Sequence, residues 1–201
     1  MATIELRGNT DLRMAMRRFA PDLEKNLRKE MASGLKPVVR AARGFVPAES
    51  PMSGWAARSF TEGRFPQYNA ATIIRGITYS TGVSKPNKNG FTSMARIMNK
   101  SAVGAIYETA GRKNPSGQPW VGAKAGGTSH KVSRSLNPTA GATFISNLPE
   151  LTSSLQGRGR LIYKAWAENK GVAEGIVRRA IDKSVKEFYV RAAANTLGKA
   201  A

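Results

Sequence analysis

A long series of apolar residues at helical spacing constrains this chain more than any other feature. Between residues 12 and 42 the apolar positions recur every three or four residues, the period of one helix face. These positions are Leu12, Met16, Phe19, Leu23, Leu27, Met31, Leu35, Val38 and Ala42. Two prolines interrupt the pattern: Pro21 suits the first turn of a new helix, and Gly34 with Pro37 predicts a kink or a break before Val38. The pattern therefore predicts a long, bent helix that ends near Gly44.

The rest of the chain shows one further helical pattern and several strand-like segments. Residues 172–194 form an amphipathic helix, whose predicted apolar face comprises Val172, Ile176, Ala180, Ile181, Val185, Phe188 and Ala192. Strands are predicted at Thr3–Arg7, Ala71–Ser80, Phe91–Asn99 and Ala102–Tyr107, and Leu161–Tyr163 is predicted as a short strand or the entry to a helix. Asn89-Gly90 marks a hairpin tip. At 201 residues, we expect one domain spanning 1–201.

Two segments have the composition of irregular structure. Residues 46–70 are interrupted by proline and glycine, which predicts an extended arm or loop. Residues 111–143 are dominated by Gly, Ser, Thr, Lys and Pro, with few apolar anchors. Burial of so few apolar side chains does not offset the entropy lost on ordering, so this basic, glycine-rich loop is predicted to be disordered or ordered only by a partner.

Positive charge predicts an acidic partner. The chain has 32 Lys and Arg against 13 Asp and Glu, a formal net charge of +19, which favours a nucleic acid, an acidic protein face or an anionic surface as the partner. Residues 63–149 hold eleven of these bases and a single acid, Glu108. The candidate contacts to DNA or to an acidic partner are Lys85, Lys88, Arg112, Lys113, Lys124, Lys131 and Arg134.

The residues for catalysis are scarce. With no cysteine, disulfides and thiolate chemistry are excluded, and a single histidine leaves little room for a triad or a zinc site. His130 is predicted to be a solvated loop residue, and Glu108 a carboxylate at a strand end that pairs with nearby cations, in preference to a general base. The glycines match no phosphate-binding motif. We therefore expect no catalytic residue, no cofactor, no metal and no enzymatic activity.

Location is predicted from hydropathy alone. The apolar stretches fall far short of the roughly 20 residues that a membrane span needs, and the N-terminus has no apolar signal region. We expect a soluble, intracellular protein with no membrane partner.

Three short motifs give the chain a resemblance to a known family. They are Ala41–Pro47 at the end of the first helix, Ser53-Gly54-Trp55 soon after it, and Gly104-Ala105-Ile106-Tyr107-Glu108 before a glycine turn. In this order they resemble the tail-completion (neck) proteins of long-tailed bacteriophages, and the stretch from Gly159 to Trp166 resembles the form seen in phages of actinobacteria. The basic insert at 111–143 departs from the family pattern.

This resemblance implies a fold and a role. The fold is an α+β subunit, with an antiparallel sheet packed on a long kinked N-terminal helix and a C-terminal helix. The role is that of a structural virion protein, made in the host cytoplasm, that forms a ring at the head–tail junction or the top of the tail tube. Copies would form this ring, usually sixfold, complete the tail and join it to the head. Partners would be neighbouring neck, tail-tube or terminator proteins, and DNA in the lumen.

The charge leaves a second function open. A sequence-independent nucleic-acid-binding protein would have the same excess of Lys and Arg, and its affinity would fall steeply with salt. No helix-turn-helix, RNA-recognition motif or zinc finger accompanies that charge in the sequence. The alternative therefore rests on charge alone.

Overall fold

A computed structural model of the chain describes residues 3–7, 10–52, 54–56, 66–86, 90, 92–112, 139–154 and 157–197. The strands in these residues are β1 (Thr3–Arg7), β2 (Ile77–Ser80), β3 (Ser93–Asn99), β4 (Thr152–Ser154) and β5 (Gly157–Gly159). The helices are α1 (Thr10–Phe19), α2 (Pro21–Gly44), α3 (Ala70–Gly76), α4 (Ala102–Thr109), α5 (Ala140–Ser146) and α6 (Ile162–Leu197). The α+β class, with a sheet and long helices near both ends of the chain, is confirmed.

A three-stranded antiparallel sheet forms one layer of the fold. Its order is β1-β3-β2, so β3 lies at the centre, and Ile97 is opposite Ile4 on one side and Tyr79 on the other. Six of the seven residues of β3 are buried, because strands and helices cover it on both sides. A second, two-stranded antiparallel sheet of β4 and β5 precedes α6.

Helices α2 and α6 run antiparallel and form the other layer. Asp22 near the start of α2 pairs with Arg191 near the end of α6 at 2.7 Å, and Glu30 pairs with Lys183 at 2.9 Å. Where Gly34 of α2 faces α6, a Cβ on this residue would lie 3.1 Å from Cγ2 of Ile176. Glycine at this position therefore allows the helix backbones to pack tightly.

The main hydrophobic core lies between this helical layer and the sheet. It contains residues of α2, the three-stranded sheet, α4 and the first turns of α6, among them Leu35, Val38, Ile97, Tyr107 and Trp166, each 3% exposed or less. Burial of these apolar side chains is the main favourable contribution to the stability of the fold.

A smaller core and a buried ion pair hold α1 against α2. The core comprises Met16, Leu27, Met31, Met94, Val177 and Ala180. Beside it, Nε and Nη2 of Arg13 each donate to Oε1 of Glu24 at 3.0 Å, and Nη1 donates to the Met94 carbonyl oxygen at 2.8 Å. Moving α1 away would separate this pair and leave a buried charge without a partner, which is costly. The ion pair therefore fixes the position of α1.

Several expectations about the elements were wrong. Pro37 lies inside α2 without breaking it, whereas the interruption expected at Pro21 is found, with Ala20 between α1 and α2. The segment 102–107 is helix α4, because Oγ of Ser101 accepts a hydrogen bond from the Gly104 N–H at 3.0 Å and caps it. The first half of Ala71–Ser80 belongs to helix α3, which Asn69 caps in the same way through the Thr72 N–H.

The buried face of α6 agrees with the prediction in part. Ala180 is buried, and Ile181, Val185 and Phe188 pack partly buried against the smaller core, whereas Val172 and Ala192 are exposed. Ala173, Val177 and Ser184, which the prediction left out, are also buried, and most of them are small side chains that suit the close approach to α2.

The two irregular segments are described only in part. In 46–70, Trp55 and Tyr68 are buried in the main core, and residues 53 and 57–65 lie outside the described residues. Of the loop predicted at 111–143, residues 113–138 lie outside the described residues, and Ala140 already begins helix α5. Residues 87–89, including Asn89 of the expected hairpin tip, are also outside, although β2 and β3 do pair antiparallel.

Replacing Gly34 by a large residue should destabilise the protein. In Gly34→Leu the new side chain meets Ile176 and the Ala173 carbonyl, so we expect the free energy of unfolding to fall by about 3 kcal/mol in urea denaturation. Asn26→Leu, at an exposed position of the same helix, is the control and should change stability by less than about 0.5 kcal/mol. Equal stabilities of the two variants would contradict close packing at Gly34.

Candidate functional site

The carboxylate of Glu108 binds the N-terminus of α6. Glu108 is fully buried near the end of α4, and its Oε2 accepts the N–H groups of Leu161 at 2.7 Å and Ile162 at 3.1 Å. Its Oε1 accepts the N–H of Tyr163 at 3.0 Å. The first N–H groups of a helix have no partner within the helix, and a negative charge there is favoured by the helix dipole. Glu108 therefore caps a 36-residue helix from a distant part of the chain.

Arg160 completes the same junction without pairing directly with that carboxylate. Its Nη1 donates to the carbonyl oxygens of Tyr107 and Ala110, both at 2.9 Å, and its Nε donates to the Pro149 carbonyl oxygen. Its guanidinium also lies 5.8 Å from the centre of the Tyr107 ring. Arg160 thus binds the carbonyl end of α4 while Glu108 binds the amide end of α6.

The strand β5 has to pass close to this carboxylate. A Cβ on Gly159 would lie 2.2 Å from Oε1 of Glu108, which no side chain tolerates. The sequence Gly157-Arg158-Gly159-Arg160 therefore serves the junction, with Gly159 leaving room and Arg160 pointing inward. The expectation that Glu108 ends a strand and pairs with cations was wrong, because it lies in a helix and binds backbone N–H groups.

Burial sets the protonation of this group. Burial raises the pKa of Glu108 to about 7, while the three N–H donors and the positive charge of Arg160 act to lower it. Among the described residues, the three hydrogen bonds to its oxygens come from the backbone of 161–163. The carboxylate therefore has a structural role in these contacts. Its exposure to solvent is 0%, which leaves it no contact with a solute.

An aromatic cluster joins the three motifs of the sequence. Tyr68 lies at its centre, with its ring centre 5.2 Å from that of Trp55 and 6.4 Å from that of Tyr107. The Tyr68 hydroxyl donates to the Pro47 carbonyl oxygen, and Nε1 of Trp55 donates to the Pro66 carbonyl oxygen at 3.0 Å. Burial raises the pKa of Tyr68 to about 12, so its hydroxyl keeps its proton for this bond.

The structure places two of the seven candidate cations. Lys85 is exposed in the connection that follows β2. Arg112 is exposed after α4, and its guanidinium lies 5.2 Å from the centre of the Tyr163 ring. Lys88, Lys113, Lys124, Lys131 and Arg134 lie outside the described residues, as does His130.

Apolar surface is exposed where the helical layer ends. Phe19, Tyr189 and Val190 are each more than 60% exposed. The Arg191–Asp22 ion pair places the end of α6 beside the start of α2, two residues after α1 ends, so these three residues belong to one end of the layer. We call them the apolar end.

A groove opens beside α1. Its volume is about 140 Å³, and apolar side chains of α1, α2, β3 and α6 form nearly all of its lining. The lining residues are Leu12, Arg13, Met16, Leu27, Met94, Ile181 and Val185. The helical spacing predicted most of these residues as apolar faces, but only the fold shows that together they form a groove.

In the described ranges, no three His, Cys, Asp or Glu side chains come together as a metal site would require. None of the described helices is both long enough and apolar enough to cross a membrane.

Removing the Glu108 carboxylate should destabilise the junction. Glu108→Ala leaves three buried N–H groups without an acceptor, so we expect a loss of about 3 kcal/mol in the free energy of unfolding. Glu108→Gln keeps one acceptor oxygen and should lose less. Urea denaturation of both variants at pH 7 measures this, and an alanine variant as stable as the parent would show that the cap contributes nothing.

Stability should also depend on pH through Glu108. Its pKa rises from about 4.5 in the unfolded chain to about 7 in the folded protein, so between these values only the folded state holds the proton. This contribution to stability is complete below pH 4.5 and is lost as pH rises through 7, about 3 kcal/mol in all. The difference in unfolding free energy between the parent and Glu108→Gln should therefore shrink over this window. A difference that grows with pH would mean that folding lowers the pKa of Glu108.

Comparison with known proteins gives no relative from which a role is carried over. No family model matches the chain, and neither a curated protein nor a solved structure is significantly similar to it.

Proposed function

We propose that this chain is a structural subunit of a bacteriophage neck, which forms a ring at the head–tail junction, completes the tail and joins it to the head. The observation that carries the proposal is the aromatic cluster around Tyr68. It contacts Pro47, Trp55 and Tyr107, and each of these belongs to a different one of the three motifs that resemble tail-completion proteins. The motifs are thus parts of one packed unit, which supports reading them together.

The exposed apolar surface supports assembly with further copies. Large side chains such as Phe19 and Val190, each 70% exposed, are unfavourable in water and suit an interface. In a ring, the contacting surfaces of neighbouring copies differ, and each copy uses both of them. We assign the apolar end to one of these surfaces and the groove beside α1 to the other.

The ring should form from this chain and depend on the apolar end. Size-exclusion chromatography with light scattering of the purified protein should detect a species of about 130 kDa, six copies of the 21.6-kDa chain. The double variant Phe19→Lys, Val190→Lys should remain a monomer, because the new charges would be buried at the interface. Val172→Lys, at an exposed apolar position in the first third of α6 and so remote from the apolar end, is the control and should assemble.

Two results would contradict this assignment. A monomer for the parent protein, both alone and when mixed with tails from the virus, would oppose the ring itself. Assembly of the double variant as readily as the parent would oppose the apolar end as the interface.

A further inference from the structure

A row of uncompensated cations lies along the solvent face of α2. Its members recur at intervals of four, seven and four residues, and all are exposed. We call them the α2 basic stripe: Lys25, Lys29, Lys36 and Arg40. At 3.6 residues per turn they fall within about 60° of the helix circumference and extend over about 22 Å. The buried residues of α2 lie on the opposite face of the helix.

The acids of α2 do not neutralise the stripe. Asp22 pairs with Arg191 and Glu30 with Lys183, both on α6. Glu24 is buried and accepts from Arg13 and Arg28, neither of which belongs to the stripe. Among the ion pairs of the described part of the chain, none involves a member of the stripe.

We propose that the α2 basic stripe binds the phosphate backbone of duplex nucleic acid. Its length corresponds to about 13 phosphates of a duplex, which carries one charge per 1.7 Å of axis. Long cationic side chains on a convex helix reach phosphates without regard to base sequence, and release of counterions drives such binding. This inference goes beyond the ring, since it assigns a partner to a surface of each subunit whether or not the ring forms.

The composition of the stripe favours nucleic acid over the other polyanions. Protein interfaces depend on apolar or aromatic anchors, whereas the exposed positions among these cations are Asn26, Ser33 and Pro37. A helix that binds a lipid surface inserts its apolar face, and the apolar face of α2 is already buried in the protein. Duplex nucleic acid requires only the row of charges.

The test compares two quadruple variants of the full chain with the same net charge. The stripe variant carries Lys25→Gln, Lys29→Gln, Lys36→Gln and Arg40→Gln. The control variant carries Arg75→Gln, Lys100→Gln, Arg178→Gln and Lys186→Gln, all at exposed positions elsewhere. Glutamine is a good helix former, and thermal melts should show that both variants fold like the parent. Fluorescence anisotropy measures the Kd for a random 30-bp DNA duplex over a series of NaCl concentrations.

We expect the stripe variant to bind at least tenfold more weakly than the parent at 100 mM NaCl. Its plot of log K against log salt should be shallower by about 3.6, since four phosphate contacts are lost. The control should stay within threefold of the parent and keep its slope. Equal losses in both variants would show that net charge acts without the stripe, and absence of duplex binding by the parent would overturn the proposal. A stripe variant that loses affinity for phosphatidylserine vesicles but keeps its affinity for the duplex would overturn it in favour of a membrane.

Discussion

The hydrogen bonds from the first turn of α6 to the Glu108 carboxylate hold together parts of the chain that are more than 50 residues apart. Through these bonds α4 fixes where α6 begins. Arg160, just before α6, adds hydrogen bonds to the carbonyl oxygens at the end of α4. The direction of α6 then determines its contact with α2 at Gly34, and this contact closes the core over the sheet. Two effects on the charge of this carboxylate oppose each other: burial disfavours the ionised form, and the helix N-terminus favours it.

The elements with a clear hydrophobic period, α1, α2, α6 and β1, could be predicted from the sequence. The short helices α3 and α4, which depend on capping residues, were missed. The spacing between Leu12 and Ala42 is long enough to specify helices, and the alternation in Thr3–Arg7 correctly indicated β1. Short segments rich in Ile, Val and Thr fit a strand as well as a helix turn. Helices α3 and α4 form because Asn69 and Ser101 cap them, and this capping role is local enough to be inferred from the sequence. The role of Glu108 was not readable, since its partners are set by tertiary structure.

The functional interpretation depends on which surfaces remain after the core is formed. The charge distribution in the sequence indicated the glycine-rich middle as the basic region, yet the structure also presents a row of cations on α2. In the sequence, the acids of α2 make the net charge of this segment moderate, but in the structure two of them pair with α6. The motifs that suggested a phage neck protein meet around Tyr68 inside the core. They therefore specify a scaffold, while we propose assembly as the role of the exposed apolar end and DNA contact as the role of the α2 basic stripe.

Electron microscopy of lysates made after disruption of this gene in the phage that we propose encodes it tests the proposed joining role most directly. If the chain completes the tail and joins it to the head, DNA-filled heads and separate tails will accumulate, and supplying the intact gene in trans will restore whole particles. Intact, joined particles in the absence of the protein would contradict the proposed function.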